Sequence, residues 1–587
     1  MKCARKTFNA MLAVLIMGVV LSVNGGAFAQ GICISGSVKD LSNNQGIQGV
    51  IVTVKDVNIG TLAGTGTTDA LGNYSVGIEA LGNYTLITSK PGYFNISAPD
   101  VMELSDMTSN RTINISMGSK ELLEEKPEEK TQNLSWETGA NKSYLIPALE
   151  IPAFLFLLNR YDRYAYPDEV ASNGKKVYDT DWSTFRNHIL HGPWEVDQDA
   201  FNINQFAHPY QGSVYHGIAR SAGLNYWEAL LYDNAGSLLW ELGGENTNPS
   251  INDQIASGFG GSFFGEALFR MSGLVLEGDG SKPGFWRELG AAIISPPTGF
   301  NRLVFGDRFK PIFPSHDPAT LWRLRFGVRK NVHLSHQSDT TDKTEASGDF
   351  IMAYGLPGQP GYRYTRPFDY FHFELTTLGN ADNPVEDIMI RGLLLGTDYE
   401  IGNSYCGIWG LYGGYDYISP HIFRISSTSA SLGTTYQWWL SRMVALQGSA
   451  LGGVGYAAAG NDTQPVASSD NPDEDVRDYH YGIAPQGLLA LRLIFGNRAM
   501  LDLTGRVYYV SGLGSDDPGG SETIQRLNTG FTVRIYKHHA LGIQYIGSVR
   551  DAQFSDRPDT HQRAGTVGII YTYLGNANFG AVEWAQR

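Results

Sequence analysis

Apolar and polar residues alternate one by one through most of the C-terminal half of the chain. Leu324, Phe326 and Val328 alternate with Arg325, Gly327 and Arg329. The same pattern returns at 371–376, 501–509 and 567–573. Neighbouring residues of a β-strand point to opposite faces, so each run predicts a strand with one apolar and one polar side. Runs of about ten residues with this alternation are typical of membrane β-barrels.

A soluble sandwich shows the same alternation, so the connections must decide between the two folds. Long polar connections at 457–480, 512–523 and 551–562 alternate with short ones at 438–443, 496–498 and 537–539. Outer-membrane barrels pair long external loops with short periplasmic turns. Residues 320–587 are therefore predicted to form an antiparallel transmembrane β-barrel of about 12 strands, although the connection 356–367 is longer than this pattern predicts. The alternative architecture is a wholly periplasmic β protein with a helical insertion.

A helical module is predicted directly before the barrel, over residues 141–319. Its apolar period changes to that of helices at 213–222, 225–242, 249–276 and 284–294, with Gly223, Gly243 and Pro296 as boundaries. The apolar stretch 151–158 is too short to cross a bilayer as a helix, and an amphipathic or interfacial packing segment is expected there.

The N-terminus has the features of an export signal. Lys2, Arg5 and Lys6 precede the apolar stretch 11–23, and small residues surround a cleavage position after Ala29. Residues 1–29 are therefore predicted to be a signal peptide. Residues 119–140, in which five glutamates between 121 and 129 are interleaved with lysines, are predicted to form an acidic linker.

Between signal and linker, residues 30–118 contain short strand-like runs separated by Asp, Gly and Asn turns. The stretch Thr67-Thr68-Asp69-Ala70-Leu71-Gly72-Asn73-Tyr74 is the most specific of these. In this order the runs resemble the carboxypeptidase regulatory-like domain. That resemblance implies an immunoglobulin-like β-sandwich that acts as a periplasmic adaptor without peptidase activity, so the fold class of the whole chain is mainly β.

Composition narrows the range of partners. The 587 residues have a formal net charge of -15, which argues against nucleic acid as a partner. Cys33 and Cys406 are the cysteines beyond the signal peptide, so neither a disulfide framework nor a cysteine zinc site is indicated. We expect outer-membrane lipid as a partner, with periplasmic or envelope proteins binding through the sandwich. Neither a cofactor nor a metal ion is expected.

The stretch from Trp194 to Gly212 carries the most distinctive motif. Trp194-Glu195-Val196-Asp197-Gln198-Asp199 is followed by Asn204-Gln205-Phe206-Ala207-His208-Pro209-Tyr210-Gln211-Gly212. This pattern resembles a bacterial family defined as a conserved domain of unknown function. The resemblance supplies a set of positions but implies no activity.

His208 is the sharpest candidate for chemistry in this stretch. It precedes Pro209, where the chain is expected to be extended, and as a general base it would need Glu241 or Asp253 as an orienting carboxylate. The alternative is a structural polar network that pins the helices to one another or to the barrel wall. Glu266 lies four residues before Arg270, the favourable order for an ion pair on a helix. The candidate members of this network are Asn204, Arg220, Glu228, Glu241, Glu245, Glu266, Arg270, Arg323 and Arg325.

Two functions remain open from the sequence. The first is a non-enzymatic outer-membrane protein, such as a pore or an assembly or envelope-interaction factor, in which the helical module plugs or gates the barrel. Arg220, Arg270 and lumen arginines such as Arg323 and Arg325 would then neutralise Glu228, Glu241 and Glu266. The second is a membrane-embedded hydrolase of lipid or envelope fragments that uses His208 with Glu241 or Asp253.

Overall fold

The structure is a computed structural model in which the chain divides into two compact units, Met1–Lys126 and Pro127–Arg587. It describes residues 32–57, 61–78, 82–97, 102–104, 111–118, 133–171, 174–197, 199–278, 280–335, 344–379, 384–420, 423–460, 479–513, 519–555, 558–575 and 578–583. The predicted signal peptide, and the linker as far as residue 132, lie outside this range.

The first unit consists of short strands in two sheets. The strands are β1 (Ile32–Asp40), β2 (Ile51–Asp56), β3 (Leu62–Thr67), β4 (Asn73–Ile78), β5 (Gly82–Ser89), β6 (Ile96–Ser97), β7 (Met102–Leu104), β8 (Arg111–Thr112) and β9 (Ile115–Met117). One sheet has the order β4-β1-β8, with β9 also on β1, and the other has β3-β2-β5-β6, with β7 on β5. Ile34, Val38, Val52 and Leu86 from both sheets share one core, which explains the alternation in their strands.

The second unit contains a closed antiparallel barrel of twelve strands, so the predicted fold class is confirmed. The strands are β10 (Thr320–Ser335), β11 (Thr344–Tyr354), β12 (Phe371–Leu378), β13 (Val385–Ile401), β14 (Tyr405–Ile418), β15 (Arg424–Ser441), β16 (Val444–Gly460), β17 (Tyr479–Phe495), β18 (Ala499–Val510), β19 (Gly520–Tyr536), β20 (His539–Phe554) and β21 (Thr560–Leu574). Each strand pairs with its neighbours in sequence, and β21 closes the ring on β10. This is the architecture of an outer-membrane-type barrel.

Ion pairs across the ring identify the face that lines the lumen. Arg526 of β19 and Glu386 of β13 lie on opposite sides of the twelve-strand ring, yet their side chains are 2.6 Å apart. Arg323 of β10 is likewise 2.6 Å from Asp502 of β18. Such contacts form only inside the ring, so these residues point inward. Their chain neighbours point outward, except at the irregularity of β13, where Glu386 and Asp387 both pair with lumen arginines. The lumen is therefore filled with charged side chains.

Residues 578–583, after the last strand, fold back into one mouth of this lumen. The backbone N–H of Val582 donates to Gln437 at 2.8 Å, and Gln437 donates back to the Val582 carbonyl at 2.8 Å. The ring of Phe579 is fully buried and packs with Ile494 and Met500. This segment closes the mouth at the end of the barrel where the short turns 402–404, 442–443, 496–498 and 537–538 lie.

The helical module occupies the chain between the two β domains. Its helices are α1 (Leu145–Ala165), α2 (Trp182–Leu190), α3 (His208–Ser221), α4 (Tyr226–Gly243), α5 (Ile251–Ile255), α6 (Gly261–Glu277), α7 (Phe285–Ile294) and α8 (Pro296–Val304), followed by a 3-10 turn at Gly306–Phe309. The apolar stretch 151–158 lies inside α1. Asn225 and Glu228 form a reciprocal capping box that starts α4. No helix in the described part of the chain is long and apolar enough to cross a membrane.

Two short π-helices interrupt the module, at Ile203–Ala207 before α3 and at Ala256–Gly260 before α6. The expectation that Pro209 holds His208 extended is wrong, because His208 has helical angles of φ -62° and ψ -48°. The N–H of His208 bonds to the carbonyl of Ile203, five residues back, and the chain runs from the π-helix straight into α3. Pro209 falls in the first turn of α3, where its missing N–H is tolerated.

The module packs on the outside of the barrel wall. Phe264 of α6 contacts Phe373 and Tyr415, which are the chain neighbours of the lumen residues Glu374 and Asp416. Farther along the wall, Asn204 donates to the hydroxyl of Tyr479 at 2.9 Å, and Gln205 donates to that of Tyr481 at 2.6 Å. The idea that the helices plug the lumen is therefore corrected: they cover the outer face of the wall, chiefly between β11 and β17.

Candidate functional site

The interior of the helical module is built around one carboxylate, that of Glu266 on α6. Arg220 of α3 donates to it through Nε at 2.7 Å, and Arg270, one turn later on α6, donates through Nε at 2.9 Å. His216 places Nε2 3.1 Å from the same carboxylate. We call these four residues the Glu266 cluster. Each side chain is at most 4% exposed, so the two guanidinium charges must be balanced inside the protein, by Glu266 and by Asp369, which pairs with Arg270.

The electrostatics of this cluster follow from burial and from its two guanidinium groups. Burial alone would raise the pKa of Glu266, but the charges of Arg220 and Arg270 and the contact with His216 outweigh it and lower the pKa well below its usual value. Burial lowers the pKa of His216. Asp233 of α4, whose Oδ2 lies 3.8 Å from His216 Nδ1, has a pKa raised well above the usual value by burial. The cluster thus stabilises the charged form of Glu266, whereas burial favours the protonated form of the neighbouring Asp233.

The cluster also ties the helices to the barrel. Arg270 Nη1 donates to Asp369 at 2.9 Å, in the connection between β11 and β12. Asp369 in turn accepts from the backbone N–H groups of Thr365 and Arg366, at 2.9 and 2.7 Å, which fixes the shape of that connection. The unexpectedly long connection at 356–367 is therefore part of the surface on which the module docks.

A second group of polar residues surrounds His208, which directly follows the first π-helix and lies beside Ser257 of the second. Its Nε2 lies 3.7 Å from Asp253 of α5, and its Nδ1 lies 3.5 Å from the hydroxyl of Ser257. All three side chains are buried. Burial lowers the pKa of His208 to about 4 and raises the pKa of Asp253 well above its usual value. The imidazole is therefore neutral at physiological pH, the state required of a general base.

Glu241 and Glu245 occupy positions near this group. Glu241 accepts from the backbone N–H of Ser250 at 2.7 Å, and burial raises its pKa to about 8. Glu245 accepts from the Trp240 indole at 3.0 Å and from Thr247 at 2.9 Å. Of the two orienting carboxylates proposed from the sequence, it is Asp253 that the structure brings beside His208.

The remaining members of the predicted network lie apart from one another. Glu228 accepts from Lys142 Nζ at 2.7 Å near the start of α4, at a partly exposed position. Arg323 pairs with Asp502, and Arg325 Nε lies 3.2 Å from Asp349. The partners of these arginines are thus barrel residues, which corrects the expectation that they neutralise the helical carboxylates. The reason is geometric, because they point into the lumen and the module lies outside it.

The lumen retains a cavity beside these two arginines. Its volume is about 90 Å³, and its lining includes Arg323, Arg325, His372, Glu374, Arg391 and Asp502. Val582, from the segment that closes the mouth, packs against Leu356 and Tyr370, which also line the cavity. Within the described residues, no group of three His, Cys, Asp or Glu side chains is arranged to hold a metal ion.

Sequence reasoning missed several residues that organise these groups. Ser257 and His216 sit in stretches without a recognisable local motif, and Asp369 lies about a hundred residues beyond its partner Arg270. The one available signal was the spacing of small residues. A side chain at Gly212 would clash with the Ser257 carbonyl, and one at Gly261 would clash with the Cα of Gly212, so α3 and α6 touch through their backbones.

Comparisons with known proteins agree with the two resemblances read from the motifs. Residues 193–297 match the family model of a domain of unknown function (DUF3943). Residues 33–117 match the model of the carboxypeptidase regulatory-like domain. None of the curated proteins matches the chain.

Similarities to solved structures are weak. The outer membrane channel DcaP of Acinetobacter baumannii is 10% identical over 43% of this chain and 96% of its own, with a TM-score of 0.20. The COG4313 outer membrane channel from Pseudomonas putida F1 is 9% identical over 44% and 96%, with a TM-score of 0.23. A type II cohesin–X-dockerin complex from Acetivibrio cellulolyticus is 21% identical over 15% of this chain, with a TM-score of 0.12, and this chain spans 58% of that one. Scores this low do not establish a common fold, so the barrel is defined by its own strand pairing. The chain thus carries a domain of unknown function and a carboxypeptidase regulatory-like domain alongside a twelve-stranded outer-membrane-type barrel.

Proposed function

We propose that this protein is a non-enzymatic outer-membrane β-barrel that acts as a scaffold with a closed lumen and holds the helical module against its outer wall. The surface of the wall supports a membrane location. Apolar side chains are exposed on the outer faces of β10 and β18 to β21, among them Phe326, Val507, Leu541, Ile543 and Ile569. Inward neighbours of these residues include the charged or polar Arg325, Arg506 and Gln544 and the small Gly568, an apolar-out and polar-in arrangement that is typical of a barrel in lipid.

The pair Arg526–Glu386 carries the proposal of a closed lumen. It joins opposite sides of the ring at 2.6 Å, and Arg506 bonds to Asp387 beside it at 3.0 Å through Nη1. Charged side chains that meet across the centre leave no continuous water path at that level. At the mouth on the side of the short turns, segment 578–583 fills the opening. A scaffold role for assembly or envelope interaction accounts for these obstructions, whereas an open pore does not.

The N-terminal sandwich would then be the part that meets other envelope proteins. The barrel strands begin at Thr320 and end at Leu574 on the side of the short turns. Short turns face the periplasm in outer-membrane barrels. We therefore assign the sandwich, which precedes the barrel in the chain, to the periplasm and assign it an adaptor role.

Single-channel recording in planar bilayers tests the closed scaffold. We expect the heat-modifiable, outer-membrane-extracted protein to insert and to give no steady conductance. The double variant Arg526→Gln/Glu386→Gln removes the central bridge and serves as the comparison, since it should raise the frequency of brief openings. Steady ohmic conductance of the unaltered protein would contradict the proposal. Recovery of the protein only from the soluble periplasmic extract would contradict the membrane location.

The row Asp253, His208 and Ser257 favours a second candidate, a hydrolase of lipid or envelope fragments. In this reading His208 Nδ1 accepts the Ser257 proton as the oxygen attacks an acyl carbonyl, and Asp253 orients the ring through Nε2. The imidazolium then gives that proton to the leaving group as its bond to the acyl carbon breaks, and water hydrolyses the acyl-serine. A fluorophosphonate probe that forms an adduct with Ser257, and fails to do so in Ser257→Ala, would support the hydrolase. The scaffold proposal expects no adduct at Ser257 in the folded protein.

A further inference from the structure

The helical module reverses the usual distribution of polar and apolar residues. The Glu266 cluster and Asp233 lie in its interior. On the outside of α4, every exposed residue is apolar: Trp227, Leu231, Ala235, Leu238 and Leu239. The spacings of four, four, three and one place them on a single stripe of the helix. A module surrounded by water would present charged residues on this stripe.

Three further helices repeat this inverted pattern. The exposed residues of α7 are Phe285, Trp286, Leu289 and Ile293, and those of α8 are Pro296, Phe300, Leu303 and Val304. Over 145–157 of α1 they are Leu145, Ala148, Leu149, Pro152, Ala153, Phe156 and Leu157. Single exposed apolar residues are ordinary in soluble proteins, but four helices whose exposed faces carry only apolar residues require an apolar partner.

The end of α1 marks where this apolar surface stops. After Leu157 the exposed residues become Arg160, Tyr161, Arg163 and Tyr164. Tyrosines and long basic side chains are characteristic of the headgroup layer, where the ring or the alkyl stem stays in an apolar environment and the polar end reaches water. The helix therefore changes from a hydrocarbon-like to an interface-like surface within one turn.

The site at which the module docks on the barrel also indicates an apolar environment for its exposed faces. The module covers the outer faces of strands that the proposed membrane location places in lipid, and it reaches Tyr479 at the end of β17. Beside this contact, Gly260 lies against Thr428, and Phe259 next to it is 45% exposed. Thr428 pairs with Tyr456, and Tyr456 with Ile483, which is 37% exposed on the outer wall. The apolar surface of the barrel thus continues onto the helices.

The packing inside the module is also of the kind that lipid-embedded helices use. Gly212 of α3 faces Gly261 of α6 so closely that a Cβ on Gly261 would lie 2.6 Å from the Gly212 Cα. Gly265 likewise faces His216 and Ser213. In membranes, where apolar side chains gain little by leaving lipid, helices associate through small residues and buried polar contacts.

From these observations we infer that the helical module is embedded in the bilayer beside the barrel, with the exposed faces of α1, α4, α7 and α8 in contact with lipid acyl chains. This inference rests on the proposed membrane location of the barrel. The module thereby forms a lateral extension of the barrel whose charged interior is shielded from both water and lipid. The partner is the hydrocarbon of the membrane itself, and the other candidate occupants, a second protein or a second copy, are outcomes of the test.

Spin labels read this surface directly. The full chain, with Cys3, Cys33 and Cys406 replaced by serine, receives one cysteine at a time and is folded into vesicles of phosphatidylethanolamine and phosphatidylglycerol. Leu157→Cys, Leu231→Cys and Ile293→Cys probe three helices, and each native side chain is at least 65% exposed. Ile569→Cys, on the outer face of β21, is the lipid-facing control, and Leu71→Cys, in the N-terminal sandwich, is the water-facing control. Collision rates with oxygen and with a water-soluble nickel chelate are measured at each position.

We expect the three helical labels to show high oxygen and low nickel accessibility, as at Ile569, and the Leu71 label to show the reverse. If Ile569 faces lipid while the helical labels collide with nickel, the inference is overturned and the membrane barrel stands. If the Ile569 label itself collides with nickel, both are overturned. Low accessibility to both reagents at the helical sites, or dipolar broadening between labels, would show a protein partner and would likewise overturn the inference. Heat-modifiable migration verifies that each variant is folded. Because the three sites lie on separate helices, the test remains decisive if one of the variants does not fold.

Discussion

Removing the charge of Glu266 should destabilise the helical module while the barrel remains intact. Glu266→Gln keeps the volume of the side chain but deprives Arg220 and Arg270 of a carboxylate at 2.7 and 2.9 Å. Arg270 keeps Asp369, and Arg220 keeps the Leu224 carbonyl and the ring of Phe269. Because the guanidinium groups stay buried, we expect a loss of about 3–5 kcal/mol.

Pulse proteolysis in detergent measures this loss, because the barrel resists both urea and protease while an unfolded module is cut. With a urea slope of about 2 kcal/mol per molar, the midpoint of module cleavage should fall by roughly 2 M. Asp179→Asn is the control, since its partner Arg163 is at a half-exposed position and such pairs contribute about 1 kcal/mol or less. If Glu266→Gln moved the midpoint no further than Asp179→Asn does, the cluster would not hold the module together.

Three further perturbations test other parts of the structure. In the folded protein the pKa of Glu241 is about 8, which is above its value in the unfolded chain. Between pH 5 and 8 the folded state therefore holds a proton that the unfolded state has lost. The stability of the module should fall as the pH rises through this range. Glu241→Gln should make that decline shallower in the same proteolysis assay, with the remainder due to Asp233 and Asp253, and an unchanged slope would refute the assignment. Phe579→Ala should lower the free energy of barrel unfolding by about 3–5 kcal/mol and should increase the frequency of brief conductance events. A variant as stable as the parent, and with no more openings, would show that residues 578–583 do not close the barrel mouth. Ile569→Arg should cost about 2–4 kcal/mol in vesicles but little in micelles, and equal costs in both would argue against a lipid-facing position.

The barrel was predictable because its signal is local. Alternation such as that of Leu324 with Arg325 reports directly on the two faces of one strand, and the spacing of turns gave about twelve strands. The Glu266–Arg270 pair was also predictable, since both residues lie on one helix at the favourable spacing. Each of these features depends on residues that are close in sequence.

The position of the helical module on the outer wall of the barrel could not be predicted, because it depends on contacts between residues that are distant in sequence. Phe373 and Tyr415 each stand beside a charged residue just as the exposed Phe326 does, yet they face helix α6, and no property of the strand distinguishes the two environments. Arg323 looks like an unpaired lumen arginine until β18 brings Asp502 to it from 179 residues away. The inverted surface of α4 could be recognised only when the interior side of the helix was known, because Asp233 and Glu241 would otherwise suggest a solvent-facing stripe.

The contact between Asn204 and Tyr479 joins residues 275 positions apart, and it has consequences for biogenesis. The helices are translocated before the strands on which they rest, so their apolar faces and their acidic and basic groups travel through an aqueous compartment without the barrel wall. Long-range contacts of this kind form late, and exposed apolar surface favours aggregation in the meantime. The chain should therefore depend on holding chaperones until the ring closes, and its helices should become protease-resistant only after the barrel does.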